Sequence, residues 1–308
     1  MAKFRDTMSA QAVEDDVAPP PMAASSGSQM LRDRAMGDLL RETRNLTAEQ
    51  VEEVLRYQRE HRLRFGEAAI ALGYVDADDV LFALSQQFHY TYAPDELEGL
   101  NHELVALRNP FSHQAESFRR IRSQLMMRVF NDAEPRRALA VVSPNQGDGK
   151  SFFAANLAIV LAQLGGRTLL VDGDMRGPRQ HELFGLKGGT GLSGLLSGRV
   201  EAQVIQQIQA LPNLFVLPVG VTPPNPLELI ERSAFALLIR ELLGKFDHVI
   251  FDTSAAVHGA DAGVIAARCG AALVMARKDQ SRVAELQDLV ETLAESPARL
   301  AGVIMNEF

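Results

Sequence analysis

The residues best able to do chemistry lie together in the stretch ALAVVSPNQGDGKSFFAANLAIVLAQLG, where an apolar run meets a glycine-rich turn and then a helical pattern opening at Lys150. Gly147, Asp148, Gly149, Lys150 and Ser151 have the types and spacing of a phosphate cradle. Glycines let backbone N–H groups approach the oxygens, and the helix N-terminus adds positive potential. The lysine reaches the outer phosphates, and a serine hydroxyl can ligate Mg²⁺. Candidate nucleotide contacts run from Asn145 through Gln146, Gly147, Asp148, Gly149, Lys150 and Ser151 to Phe152. The usual pattern carries a glycine where this chain has Pro144, and a strand-to-helix turn that binds no nucleotide is the competing reading of the loop alone.

Two acidic segments support the phosphate reading, because Mg-phosphate chemistry needs carboxylates at the carboxyl edge of a sheet beside such a loop. LLVDGDMRGP places Asp172 at a strand end, with Asp174 and Arg176 following at two-residue spacing, and HVIFDTS places Asp252 likewise. Either Asp alone reads equally well as a turn or cap residue. In combination with the loop they predict a site for ATP and Mg²⁺.

These residues need a scaffold, and the pattern around them supplies one. Strands are expected at Ala138 to Val142, Thr168 to Asp172, Leu214 to Leu217, His248 to Asp252, Ala271 to Ala276 and Leu300 to Met305. Helices are expected near 150 to 164, 226 to 243, 259 to 268 and 281 to 294, with an amphipathic helix before them from Glu116 to Phe130. Near-continuous apolar strands alternating with helices mean an α/β fold, a mainly parallel sheet with helices on both faces. Ahead of it, Gly37 to Gln58 lies over Gly66 to Gln87 at an offset of 29 residues, each copy a short helix, a break and a second helix behind Thr47 or Asp76 as N-cap. The expected order is a disordered tail over 1–35, a small helical domain over 36–92, a linker over 93–113 and a P-loop domain over 114–308.

Composition narrows the function. At 308 residues with 46% apolar and 23% charged residues, two globular domains fit, and a formal charge of −8 argues against a non-specific nucleic-acid binder. The single cysteine, Cys269, sits in an apolar run as a small buried hydrophobe, and no pair exists for an intrachain disulfide. No apolar run reaches membrane-spanning length and the start lacks a secretory core, so a cytoplasmic chain is expected.

The loop and the two acidic segments together resemble the bacterial tyrosine kinases, a P-loop family related to partitioning and cell-division ATPases, over about residues 112–308. Ser143 to Ser151 matches the family loop with Asp148 for its glutamate. Leu170 to Arg176 matches its second motif in full. The third motif matches at Asp252 but has Thr253, Ser254 and Ala255 where the family reaches a proline. Pro223 to Leu229 (PPNPLEL) also matches, as does the ExxRxxR helix at Glu116, Arg119 and Arg122. The nearest look is to stand-alone kinases beside chain-length determinants in exopolysaccharide clusters.

The resemblance implies transfer of the ATP γ-phosphoryl group to a tyrosine hydroxyl, in the service of exopolysaccharide synthesis, chain length or export. It gives Lys150 the β and γ phosphates and Ser151 and Asp252 the Mg²⁺. Asp172 orients or deprotonates the hydroxyl, with a place at the metal too, and Asp174 assists at the metal. Arg176 either senses phosphate or pairs with Asp174 or Asp172. Glu116, Arg119 and Arg122 pack subunits into a ring, or else form a solvated, ion-paired stripe. A membrane chain-length regulator would act as activator, holding the chain at the inner membrane, and the substrates would be tyrosines of other proteins. Two alternatives remain. One is a positioning ATPase, which usually carries a signature lysine that Asn145 and Gln146 do not supply. The other is an ATP-binding regulatory subunit with little catalysis.

The amino-terminal repeat resembles small helical domains ahead of type II secretion and pilus ATPases, some of which bind cyclic di-GMP. The second copy matches at Arg64, Phe65, Gly66, Gly73, Val80, Leu84 and Gln87; the first, with Ala35 and Arg44 at key places, matches less well. Core and turn residues of a protein-docking module explain the same positions. The four tyrosines are Tyr57, Tyr74, Tyr90 and Tyr92, and the family's tyrosine-rich tail has no counterpart before Phe308. Tyr90 and Tyr92, ahead of Asp95 and Glu96, are the expected acceptors of any self-phosphorylation, or else close the core of the small domain.

Overall fold

The computed structural model of the chain describes residues 38, 40, 41, 46–77, 79, 80, 83, 97, 99–131, 135–187, 189–199 and 204–307. The chain divides into two compact units, Met1–Gln87 and Phe88–Phe308. The 1–35 tail, Tyr90 and Tyr92 lie outside the described residues.

In the smaller unit, α1 (Ala48–His61) begins at Thr47, whose hydroxyl accepts from the Gln50 N–H at 3.2 Å while the Gln50 side chain accepts from the Thr47 N–H at 2.9 Å. This reciprocal cap satisfies two N–H groups that the helix leaves unpaired. Arg62, at φ 55°, ends the helix in the left-handed region before α2 (Phe65–Ala71) begins. Asp76 and Asp79 repeat the reciprocal cap at 2.8 and 3.0 Å. Leu40, Leu46, Val54, Phe65, Ala68, Ala69, Val75 and Ala83 form the core. At Gly66 a Cβ would come within 2.5 Å of the Val80 side chain, so this glycine is required by close packing.

The larger unit is a seven-stranded sheet in the order β3-β4-β2-β5-β1-β6-β7. Its strands are β1 (Ala138–Val142), β2 (Thr168–Asp172), β3 (Gln206–Gln207), β4 (Leu214–Leu217), β5 (His248–Asp252), β6 (Gly270–Arg277) and β7 (Arg299–Asn306). All neighbours pair parallel except β3 with β4. Every residue of β1, β2 and β5 is buried, as strands covered on both faces must be. β3 escaped the sequence reading because two polar residues on an edge carry no periodic signal.

In chain order the helices of this unit are α3 (Val105–Arg108), α4 (His113–Arg128), α5 (Lys150–Ala162), α6 (Gln180–Leu183), α7 (Leu192–Leu196), α8 (Pro226–Glu231), α9 (Ser233–Lys245), α10 (Asp261–Cys269) and α11 (Val283–Ala294). The single helix expected over 226–243 is two, because Arg232 adopts φ −61° and ψ 149° between α8 and α9. Cys269 ends α10, buried as expected.

The expected linker requires correction over its described part. Leu104, Ala106 and Leu107 are buried, and the Ala106 N–H donates to Asn156 Oδ1 of α5 at 2.8 Å. Asn156 returns a bond from Nδ2 to the Glu103 carbonyl at 2.9 Å, and the Arg108 guanidinium donates to the Leu97 and Leu100 carbonyls at 3.0 and 2.5 Å. The segment from Leu97 onward therefore belongs to the body of the larger unit. With α3 and α4 covering it from outside, α5 is buried on nearly every side, which is why its sequence is apolar all round.

Candidate functional site

The sheet register brings the acidic residues together. Asp172 ends β2 and Asp252 ends β5, and the two are Cα partners across adjacent parallel strands; Val141 of β1 pairs with Asp252 from the other side. The loop leaving β1 thus starts beside both carboxylates. Gly147 and Gly149 take φ 86° and 95°, values an L side chain rarely adopts, and Gly149 directly precedes α5. A Cβ at Gly149 would also lie 2.3 Å from Asn306 Nδ2.

The loop is braced by its own Asp148 and Asn145 together with Ser281, Glu285, Arg277 and Asn306, which the sequence reading did not single out. Asp148 is buried, accepting from the Asn145 N–H at 2.9 Å and from Ser281 Oγ at 2.8 Å, and its carbonyl accepts from Asn306 Nδ2 at 3.2 Å. Asn145 Nδ2 donates to Glu285 at 2.6 Å, and Arg277 donates to the Gly147 carbonyl at 3.1 Å. Asp148 and Asn145, expected as nucleotide contacts, thus have their side chains committed to holding the loop.

Lys150 is buried, its ammonium donating to Ser143 Oγ at 3.0 Å. Burial lowers its pKa, opposed by Asp252, Asp174 and Asp148. Asp172 is wholly buried; its Oδ2 accepts from the Arg179 and Gln180 N–H groups at 3.0 and 2.9 Å. Burial, then the nearby Asp252, pushes its pKa well up, against those two hydrogen bonds. Asp252 is equally buried and accepts from Gln180 Nε2 at 2.8 Å. Burial raises it from 3.8 to about 6, against hydrogen bonds from Gln180 and Ser151 and the charge of Lys150.

Oδ1 of Asp172 and Oδ1 of Asp252 are both buried without a protein partner. Two orphaned carboxylate oxygens beside the Ser151 hydroxyl suit a hard divalent cation, which prefers oxygen ligands. Among the described residues no group of three or more His, Cys, Asp or Glu is arranged to hold a metal unaided. A divalent cation held by one or two carboxylates ordinarily completes its shell with water or phosphate oxygens.

Asp174 is held differently from the pair, though its charge, after burial, helps raise the pKa of both. Its Oδ1 caps the turn by accepting from the Arg176 and Gly177 N–H groups at 3.1 and 2.9 Å, and it lines a cavity of about 250 Å³ with Gln146, Lys150, Arg176, Gly177, Ala255 and His258. Arg176 forms its ion pair with Asp261, Nε to Oδ2 at 2.5 Å, which corrects the expected pairing with Asp172 or Asp174. Hydrogen bonding to Asp261 is also the main reason its pKa is raised. Phe152 points elsewhere, into a separate apolar hollow of about 270 Å³ that it shares with Phe118 and Ile304.

On α4, Glu116 pairs with Arg119 at 3.1 Å, Arg119 also donates to the Pro110 carbonyl, and Arg122 donates to the Val160 carbonyl at 2.7 Å. These arginines thus support the chain's own layers. Gln180 and Asp261 are the site residues that sequence reasoning missed, since nothing local marks a glutamine eight residues past Asp172 or an aspartate opening a later helix.

Comparison with known proteins gives this geometry its context. Residues 139–308 match the CobQ/CobB/MinD/ParA nucleotide binding domain. The chain is 35% identical over 199 residues to CapB of Staphylococcus aureus, a protein assigned to the tyrosine-protein kinases, covering 64% of this chain and 86% of that one. To the tyrosine-protein kinase Wzc of Salmonella typhimurium it is 32% identical over 204 residues, 66% of this chain but only 28% of Wzc. The kinase domain of the Escherichia coli tyrosine kinase ETK superposes with a TM-score of 0.63 at 29% identity, over 66% of this chain and 79% of that domain.

Proposed function

The chain belongs to the bacterial tyrosine-protein kinases of the CobQ/CobB/MinD/ParA nucleotide-binding class, and from that premise we propose that it transfers the γ-phosphoryl group of Mg-ATP to tyrosine hydroxyls of other proteins. One observation supports this reading above the rest. Asp172 and Asp252 meet in register at the sheet edge with their Oδ1 oxygens unsatisfied, beside a glycine loop whose lysine and serine open a buried helix.

In this proposal the loop amides and Lys150 take the phosphates, and Ser151, Asp252 and Asp172 serve Mg²⁺ directly or through water. When bound, the metal neutralises charge on the β and γ phosphates. Asp174, the carboxylate that reaches the open cavity, receives and orients the tyrosine hydroxyl. This exchanges the roles expected for the two residues, on the ground that Asp172 is wholly buried. Little covalent chemistry is asked of the protein beyond positioning and charge neutralisation.

The same reading extends to a membrane chain-length regulator as activator, peripheral attachment to the inner membrane through it, and control of exopolysaccharide synthesis or export. Among the described residues no helix is long and apolar enough to cross a membrane. Assembly into a ring through α4 belongs to the proposal as well, although Arg119 and Arg122 also bond within the chain. For the smaller unit, the use of Phe65, Gly66 and Val80 in packing favours a protein-docking module over a cyclic di-GMP site.

Self-phosphorylation is assigned to Tyr90 and Tyr92. Tyr57 stacks on His61 at 3.9 Å and Tyr74 donates to Glu53 at 2.5 Å, so both of these are engaged. The test is a phosphotyrosine blot with mass spectrometry after the purified chain is incubated with Mg-ATP and a membrane fraction containing the regulator. Phosphotyrosine that requires Lys150 supports the kinase; hydrolysis without any phosphotyrosine favours the positioning ATPase.

A further inference from the structure

Gln180 carries no motif, yet it is the residue that ties the site together. It is wholly buried at the start of α6, a one-turn helix, and three segments meet on it. Its main-chain N–H donates to Asp172 Oδ2 at 2.9 Å. Its side-chain amide donates to Asp252 Oδ2 at 2.8 Å and to the Ser151 carbonyl at 3.1 Å. The two aspartates sit on neighbouring strands, roughly 4.8 Å apart in the hydrogen-bonding direction, and a buried pair of like charges at that spacing would splay or protonate if nothing held it. Donors placed on the Oδ2 side of each leave the Oδ1 oxygens as the unsatisfied ones. Gln180 Oε1 is itself buried without a protein partner, which makes three acceptor oxygens in one cluster.

We infer that Gln180 is a positioning residue for the divalent cation: its side-chain amide holds Asp252 by Oδ2 and the first turn of α5 by the Ser151 carbonyl, so that Asp252 Oδ1 and the Ser151 hydroxyl face the metal that accompanies the nucleotide. This rests on the Mg-nucleotide reading above. Partners that orient a metal ligand from behind commonly govern ~10–100-fold in metal affinity. Gln180→Met keeps the length and removes the donor.

The experiment measures Mn²⁺ binding to the full chain with ADP by electron paramagnetic resonance, and ADP binding in EDTA by calorimetry. The expected result is ADP-dependent Mn²⁺ binding in the wild type, weakened ~10–100-fold in Gln180→Met, with metal-free ADP affinity unchanged and phosphotransfer recovered at high Mn²⁺. Equal Mn²⁺ affinity in the two proteins overturns the assignment. So does a parallel loss of Mn²⁺ and metal-free ADP binding, which would mark a merely structural residue. If the wild type binds ADP but no Mn²⁺, the metal reading itself fails and the assignment falls with it. Should Gln180→Met not fold, Gln180→Asn, which keeps the amide one methylene short, is judged by the same two measurements.

Discussion

Replacing Asp252 by Asn should make the metal-free protein more stable while removing its metal-dependent function. Asp252 is wholly buried, and burial carries its pKa from 3.8 to about 6. At about 1.4 kcal/mol per pKa unit, holding the ionised carboxylate in the fold costs roughly 3 kcal/mol. Asn keeps an oxygen for Gln180 Nε2 and discards the charge beside Asp172. For a unit of this size ~1 kcal/mol corresponds to 2–4 °C, so the variant should melt roughly 6–12 °C above the wild type at pH 8 in EDTA.

The pH dependence has a definite sign. A carboxyl whose folded pKa is raised brings no penalty below its unfolded value of 3.8, where both states are protonated. The penalty grows as pH rises towards about 6 and is complete above it. The two proteins should therefore melt together near pH 4 and diverge by pH 8. Mg²⁺ and ADP should narrow the gap, because the wild type, which keeps the metal ligand, gains the larger linkage stabilisation, about 2.7 kcal/mol for a ligand at a hundred times its Kd. Scanning calorimetry at both pH values, with EDTA or with Mg-ADP, reads all of this. A variant that melts at or below the wild type at pH 8 in EDTA would refute the argument that these carboxylates are held at a cost for a cation.

Lys150→Met should lower ATP turnover by ~10²-fold or more while leaving the melting temperature unchanged or higher, because the buried ammonium is already disfavoured by its surroundings; coupled ATPase assays and thermal melts check both halves. Asp174→Ala should reduce phosphotransfer with Mg-ADP affinity intact, whereas Asp172→Ala should weaken metal binding ~10–100-fold. Calorimetry beside a kinase assay separates them, and the opposite pattern would return the hydroxyl role to Asp172. Ala255→Pro should be accepted with activity retained and a gain of ~0.4–1 kcal/mol, read by denaturant melts, because Ala255 already sits at φ −68° and ψ 143°.

What was legible in the sequence is what depends on neighbours along the chain. The loop showed through glycine spacing, β1 through five apolar residues in a row, and β2 and β5 through three apolar residues closed by an aspartate. The caps at Thr47 and Asp76 showed for the same reason. Contacts made across the fold did not. Arg176 finds Asp261 85 positions away, Asp148 finds Ser281 133 positions away, and Gln180 reaches Asp252 72 positions away, and no local pattern encodes such pairs. The misread linker has a different cause. Its mixed polarity comes from Asn101, Glu103 and Arg108, whose backbone or side chains bond within the fold, and those polar residues hid the buried Leu104 and Leu107 between them.

The two departures from the kinase motifs are absorbed by the structure in different ways. At Ala255 the family's proline is missing but its backbone is not: the residue holds a φ within the range a pyrrolidine ring imposes. The next two N–H groups, of Ala256 and Val257, donate to the Ser143 and Pro144 carbonyls at 2.9 and 3.0 Å, so this segment still clips onto the start of the phosphate loop. At position 148 the shorter aspartate spans from the Asn145 N–H to the Ser281 hydroxyl and closes the loop on itself. Arg277 and Asn306, at the carboxyl ends of β6 and β7, complete the brace through the Gly147 and Asp148 carbonyls. The loop is therefore held by both sides of the sheet, β5 through the Asp252 segment and β6 and β7 through side chains. A loop fixed in this way presents its N–H groups without reorganising when phosphate arrives, the condition under which positioned dipoles contribute most to catalysis. Neither substitution removes a part that phosphoryl transfer needs, and the site retains the lysine, the serine and the paired carboxylates on which the kinase reading depends.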